Sequence, residues 1–270
     1  MLRFLHKVRR DHLANQRLGR YFTYAIGEIF LVVAGILIAL QINNWNEERI
    51  EQKQISEYAL ALADDLQKDF EMLEPVANQI DNLRDRSDRL ADYITATPLA
   101  EMSNIDLYLL TRSPSYRPFE WNRAALDQLK ASGALRNMKN QELVKKISEY
   151  DALTRHLDQD YTNDENNIRQ ATNTMLGVVN MNYPQRYQIK LYDEDRTGEQ
   201  RAEFYKTELY KQLKNEDLAI LTEDINKVNQ AANYFIEISI SISARTDIEI
   251  PRLEAIGLQI VEMIDAEYGQ

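Results

Sequence analysis

Residues 21–45 read YFTYAIGEIFLVVAGILIALQINNW, and what this stretch is decides how the rest of the chain is read. It carries one formal charge, Glu28, in 25 residues. At 1.5 Å per residue, the roughly 21 residues from Phe22 to Ile42 span about 30 Å as a helix, the thickness of a bilayer hydrocarbon core. Tyr21, Tyr24 and Trp45 stand near the ends, where amphipathic rings favour the headgroup level, and Asn43 and Asn44 lead out into water. A transmembrane helix is therefore expected over 21–45. Two rivals share its composition. A core helix of a soluble protein would account for Glu28, and a cleaved signal peptide also places bases before an apolar run. The length of the run and the lack of an Ala-x-Ala site after it favour an anchor that stays.

Charge sets the expected orientation. Residues 1–20 hold six bases (Arg3, Lys7, Arg9, Arg10, Arg17, Arg20) against one acid, Asp11, whereas the far flank opens with Glu47, Glu48, Arg49, Glu51 and Lys53. The positive-inside rule places residues 1–20 in the cytoplasm as a basic tail and the remainder across an inner membrane, in the periplasm. Leu2, Phe4, Leu5, Val8 and Leu13 among those bases suggest a helix lying against anionic lipid, a better account of the tail than nucleic-acid binding.

The segment GEIFLVVAGILIALQINNWNEERIEQK, residues 27–53, preceded by MLRFLHKVRR, resembles the opening of a family of single-span membrane proteins of unknown role from Bacteroidota, marine flavobacteria among them. A second segment, AALDQLKASGALRNMKNQELVKKISEY at residues 124–150, is similar to that family's internal pattern. That pattern is a helix, a Ser-Gly turn, an Arg-containing hydrophobic link and an Asn-capped helix ending in Tyr. The resemblance implies a single span followed by a helical body. It implies no activity and carries over no catalytic residue.

The 225 residues after Trp45 have a formal charge of −15, a surface that repels nucleic acid and anionic headgroups. They suffice for one domain with a real core, or two small ones. There is no cysteine, which removes disulfides, thiolate nucleophiles and cysteine metal sites together.

This body is expected to be all-α. Apolar or small residues recur at Leu62, Leu66, Phe70, Leu73, Val76, Ile80, Leu83, Ser87, Leu90 and Ile94, the stripe of a bundle or coiled coil. Pro75 interrupts the run, and its ring and missing N–H predict a kink or a break into two helices, with Glu74 the last comfortable helical residue. The expected organisation is thus a tail over 1–20, a span over 21–45, a stalk over 46–74 with a hinge at Pro75, and an antiparallel helical bundle over 75–270. Within that bundle a short helix is expected at Ile105 to Leu110. Phe119 and Trp121 should pack the start of the next helix, and aromatic core is a better reading of this pair than a ligand site. Gly133 is a left-handed cap, and Asn140 caps a helix running through Leu143, Ile147, Tyr150, Leu153 and Leu157 to Gly177. The stretch from Val178 to Arg196 reads as an irregular, partner-facing loop. A capping box at Thr197 and Gln200 opens one long helix with its seam at Leu218, Leu221, Ile225, Val228, Ala232, Phe235, Ser239 and Ile242. A break or restart is expected near Pro251, followed by a final amphipathic helix.

Chemistry-bearing motifs are few. The histidines are His6, His12 and His156, and the topology separates the first two from the third. His156 and Asp160 share a helix face, with Glu165 nine residues beyond the histidine, but a metal reading needs ligands from other helices. Phosphate loops, nucleophile elbows and HExxH are absent from the sequence. Asp64, Asp65 and Asp69 read as a solvated helix face without EF-hand spacing. No catalytic residue, cofactor-binding residue or metal ligand is assigned, and no cofactor is expected.

Glu28 stands about 9 Å into the span, so placement near the cytoplasmic interface explains it. A contact with another membrane protein or a second copy of the chain is the functional reading. Gly35 and Ala39 form a small-xxx-small pair that would let a helix approach closely. Two functions follow. The first is a membrane-anchored extracytoplasmic scaffold or interaction module, acting as a homo-oligomer or on an envelope protein. The alternative is a small-molecule sensor or accessory subunit of a membrane complex, which needs a separate signalling partner because the tail is short. An enzyme is the least supported class, to be raised by a buried carboxylate cluster around His156.

Overall fold

The computed structural model describes residues 2–112, 115–183 and 204–269, with the backbone alone for 2–21, 23 and 24. Among the described residues every regular element is helical. The chain forms two compact units, residues 1–57 and 58–270. Helix α1 (Leu2–Ala96) passes through both.

In the first unit α1 holds the apolar stretch, and nothing among the described residues buries it. Phe30 is 70% exposed and Leu31 72%, and Ile29, Leu37, Ile38, Leu40 and Ile42 are exposed as well. Exposing so many large apolar side chains to water would cost on the order of 1.5–3 kcal/mol apiece relative to burial. A soluble core helix hides this surface, whereas a lipid environment is its natural solvent. α1 is the one helix among the described residues long and apolar enough to cross a membrane. This is a membrane-associated, all-α protein.

In the second unit the remainder of α1 buries Leu62, Leu66, Leu73, Val76, Ile80, Leu83 and Leu90, as the stripe predicts; Phe70 and Ile94 are half-buried. This unit takes in residues 58–74, part of the segment expected as a stalk. α1 also stays helical through Pro75, so the chain is not divided there into two helices. Pro75 and Glu71 are both exposed, and the proline removes the helical donor that the Glu71 carbonyl would otherwise take.

After Pro98 the chain turns through a 3-10 segment (Leu99–Glu101) into α2 (Asn104–Thr111), the short helix expected at 105–110. Residues 115–123 form no regular element, and within them the Phe119 and Trp121 rings stack at 5.1 Å. α3 (Ala124–Ala131) and the single turn α4 (Ala134–Asn137) meet at Gly133, whose φ of 78° is the left-handed conformation expected of a cap. α5 (Gln141–Met175) is capped by Asn140, whose Oδ1 accepts from the Leu143 N–H at 3.1 Å. α6 (Glu208–Asn215) and α7 (Ile225–Ala244) follow; a π turn (Arg245–Glu249) then joins α7 to α8 (Ile250–Tyr268). α5 packs against both α7 and α8, and these with α1 enclose the core. Gly257 on α8 lies directly on the Phe70 and Tyr150 rings: a Cβ there would stand 2.7 Å from Phe70 Cζ and 3.3 Å from Tyr150.

The expected long helix from Thr197 is corrected. Thr197 and Gln200 lie outside the described residues, but residues 216–224 are not helical, and α7 begins only at Ile225. Leu221 is 54% exposed and Ile225 37%, whereas Val228, Ala232, Phe235, Ser239 and Ile242 are buried as expected. Local bonds outcompete the helix here. The Thr222 hydroxyl accepts from the Asp224 N–H, Asp224 caps Asn226, and the Leu221 N–H is taken by the Val178 carbonyl at 2.8 Å. At Pro251 the chain restarts as anticipated, through the π turn, with the proline in the first turn of α8 where a missing N–H costs least.

Candidate functional site

His156, Asp160 and Asp164 recur every four residues on α5 and so share one face. The π turn approaches that face. A π turn is an uncommon widening, found mostly where a helix has been bent to a local purpose. Here it presents Arg245 and Glu249 side by side. Arg245, 7% exposed, reaches Glu249 Oε2 through Nη1 at 3.0 Å, Asp160 Oδ2 through Nη1 at 3.3 Å, and Asp164 through Nε at 3.3 Å. The Tyr116 hydroxyl, from the link before α3, donates to Asp164 Oδ2 at 2.7 Å, the same oxygen that Arg245 Nε approaches.

Burial raises the Asp164 carboxyl above its ordinary range, partly offset by the Tyr116 hydroxyl and the Arg245 guanidinium. Burial also drives the Tyr116 phenol upward, reinforced by its bond to Asp164. For Arg245 burial works against the charge, but Asp164, Glu249 and Asp160 outweigh it and raise the value. Three carboxylates thus surround one guanidinium, a formal charge of −2 with a neutral imidazole.

His156 sits at the rim, its side chain 55% exposed, with Nε2 3.2 Å from Asp160 Oδ2 and 3.5 Å from Glu249 Oε1. One ligand atom from each of His156, Asp160 and Glu249 falls within 4.8 Å of the others. The cluster can hold a proton or a cation.

Sequence reasoning paired His156 with Asp160, and that pair forms. Glu165 does not join; it is exposed and turned to Arg169. Arg245, Glu249, Asp164 and Tyr116 were missed because they arrive from three separate elements. The available signal was faint: a four-residue recurrence of polar groups on α5, and an Arg and a Glu four apart in the isoleucine- and serine-rich ISISISARTDIEI. Asp69 is a correction. It is 1% exposed, not solvated, and accepts from the Asn122 N–H and Nδ2 and from the Tyr150 hydroxyl.

Glu28, Gly35 and Ala39 are all exposed on α1. A Cβ on Gly35 would meet nothing within 4 Å. Gly35 and Ala39 are one turn apart, as the small-xxx-small spacing requires.

The described part of the expected loop, 178–183, is pinned rather than free. Val178, Val179 and Tyr183 are buried. Asn104 pairs reciprocally with the Asn180 backbone, and Tyr183 donates to Asp217 at 2.7 Å. Asp217 also accepts from the Ser103 hydroxyl and the Ile105 N–H, so this second polar centre fastens α2 to the segment before α7. Residues 184–196 lie outside those described.

Residues 28–96 match the model of a protein family described as a family of unknown function, DUF6090. No curated protein and no solved structure matches the chain.

Proposed function

We propose that this chain is a membrane-anchored helical interaction module, its basic tail on the cytoplasmic side of an inner membrane and its acidic bundle on the other. The apolar stretch of α1 carries this reading: it is helical, has no buried residue among those described, and is continuous with a helix whose later part belongs to a packed bundle. The excess of bases in residues 1–20 supports the orientation. An acidic surface suits a basic protein partner in the envelope better than the membrane surface.

The alternative, a sensing or accessory subunit, is favoured by one observation. The cluster of His156, Asp160 and Glu249 is partly open to solvent and has the charge to take up a cation.

Protease protection in spheroplasts combined with crosslinking on intact membranes tests the proposal. Digestion of the bundle from outside, with the tail protected, is expected, together with crosslinks to a second copy or to one envelope protein. A bundle protected in spheroplasts overturns the orientation. A chain that yields no crosslink overturns the interaction role. One stoichiometric membrane partner shifts the reading to an accessory subunit, and self-crosslinks alone weaken that alternative. Unchanged oligomeric state and partner yield in Glu28→Gln would rule out a functional membrane contact at Glu28.

A further inference from the structure

We propose that His156, Asp160 and Glu249 form a binding site for a divalent transition-metal ion of the zinc type, with three protein ligands and one position open to water. The site rests on the bundle alone and does not depend on the anchor's orientation or on any partner.

Spacing is the first argument. Zinc binds imidazole nitrogen and carboxylate oxygen at about 2.0–2.2 Å, and the edge of such a tetrahedron is about 3.3–3.5 Å. The His156 Nε2 stands 3.2 Å from Asp160 Oδ2 and 3.5 Å from Glu249 Oε1. The imidazole is thus already a tetrahedral edge away from each oxygen, and the third separation is within 4.8 Å. An ion can enter with small side-chain adjustments.

Orientation is the second. Metal-binding side chains work when a further layer of groups fixes their direction. Arg245 supplies that layer for Glu249, which it holds through Oε2 so that Oε1 faces the imidazole; at Asp160 it approaches Oδ2, the same oxygen that faces the imidazole, which an incoming ion would share with the guanidinium. Asp164, held in turn by the Tyr116 hydroxyl, fixes Arg245 from behind. The π turn brings Arg245 and Glu249 to α5 together.

Charge and ligand chemistry choose the ion. With neutral imidazole the cluster is formally −2, so a divalent cation neutralises it. One imidazole and two carboxylates suit zinc and its first-row neighbours. Magnesium and calcium prefer six or more oxygens. The exposed side of His156 leaves room for a water in the fourth position, the arrangement of open rather than purely structural zinc sites.

The test uses the full chain in detergent with Zn²⁺ alone, followed by titration calorimetry and by the thermal midpoint, and Co²⁺ as a visible-absorption probe. One ion per chain is expected, with a raised midpoint and the intense visible bands of tetrahedral cobalt. His156→Ala changes a mostly exposed side chain, so the metal-free midpoint should stay near that of the native chain. Its affinity for Zn²⁺ should fall by about 100-fold or more, since even losing a supporting group costs about 10–100-fold. Glu249→Gln, a second ligand from another element, should do the same. Equal Zn²⁺ affinity in the native chain and both variants overturns the site, as does the absence of saturable binding. A folded His156→Ala that keeps the cobalt bands also overturns it.

Discussion

The Tyr150 hydroxyl donates a 2.9 Å hydrogen bond to Asp69 Oδ2 across 81 positions of sequence, joining α5 to α1 inside the core. Asp69 also receives the Asn122 N–H at 2.8 Å and Asn122 Nδ2 at 2.9 Å, and it has no salt-bridge partner among the described residues. One buried carboxylate therefore fixes the entry to α3 and the register of α5 on α1. Asp69→Ala leaves three donors without their acceptor and should lower the unfolding free energy by about 2–4 kcal/mol, measured by urea denaturation in detergent.

The same carboxyl predicts a pH dependence. Burial raises its value in the folded state, against the pull of its bonds from Asn122 and Tyr150. A raised carboxyl keeps its proton in the folded chain after the unfolded chain has lost it. Its contribution is therefore fully present below the ordinary aspartate value of about 3.9 and declines as pH rises from there through the raised folded value. Asp69→Asn should flatten the urea-midpoint profile in that window. An unchanged profile would show that Asp69 does not titrate differently in the two states.

Among the described residues Arg245 is the one cation that pairs with Asp160, Asp164 and Glu249 together, and its removal strands buried negative charge. Arg245→Gln should cost about 3–5 kcal/mol at neutral pH. The loss should shrink as the pH is lowered, because the stranded Asp164 carboxyl, already raised by burial, then takes up a proton. Equal destabilisation at pH 5 and pH 8 would count against this account.

Gly257 leaves no room for a side chain between α8, Phe70 and Tyr150. Gly257→Ala gains about 0.8–1 kcal/mol of helix propensity but overpacks the contact, at about 1–3 kcal/mol. A net loss near 1 kcal/mol is expected. Phe70→Leu should reverse its sign, so that alanine at 257 stabilises the chain in that background.

Anchoring is open to a direct trial. An acidic or basic residue at the centre of a span costs about 2.5–3.5 kcal/mol. The pair Val33→Asp and Leu37→Arg should move the chain from the carbonate-resistant membrane pellet to the supernatant. Retention of the double variant in the pellet would show that the apolar stretch is not what holds the chain to the membrane.

The sequence by itself determined the apolar stretch, the helical character of the body, the cap at Asn140 and the turn at Gly133. Each is a local property: hydropathy along one helix, a three-to-four-residue recurrence, a side chain beside its own backbone. The pairing of His156 with Asp160 was legible for the same reason, being one turn of one helix. Tertiary structure alone decided which polar groups are buried and what they meet. Asp69 lies on the stretch of helix that bears the solvated Asp64, and periodicity does not reveal that Asn122 and Tyr150 will close over it. Arg245 and Glu249 join α5 only because a π turn re-aims them, and the start of α7 is set by bonds from Val178 and Asp224. Hydropathy marks the face a helix will bury, whereas the partner of a buried charge comes from another element, fixed only when the chain has packed.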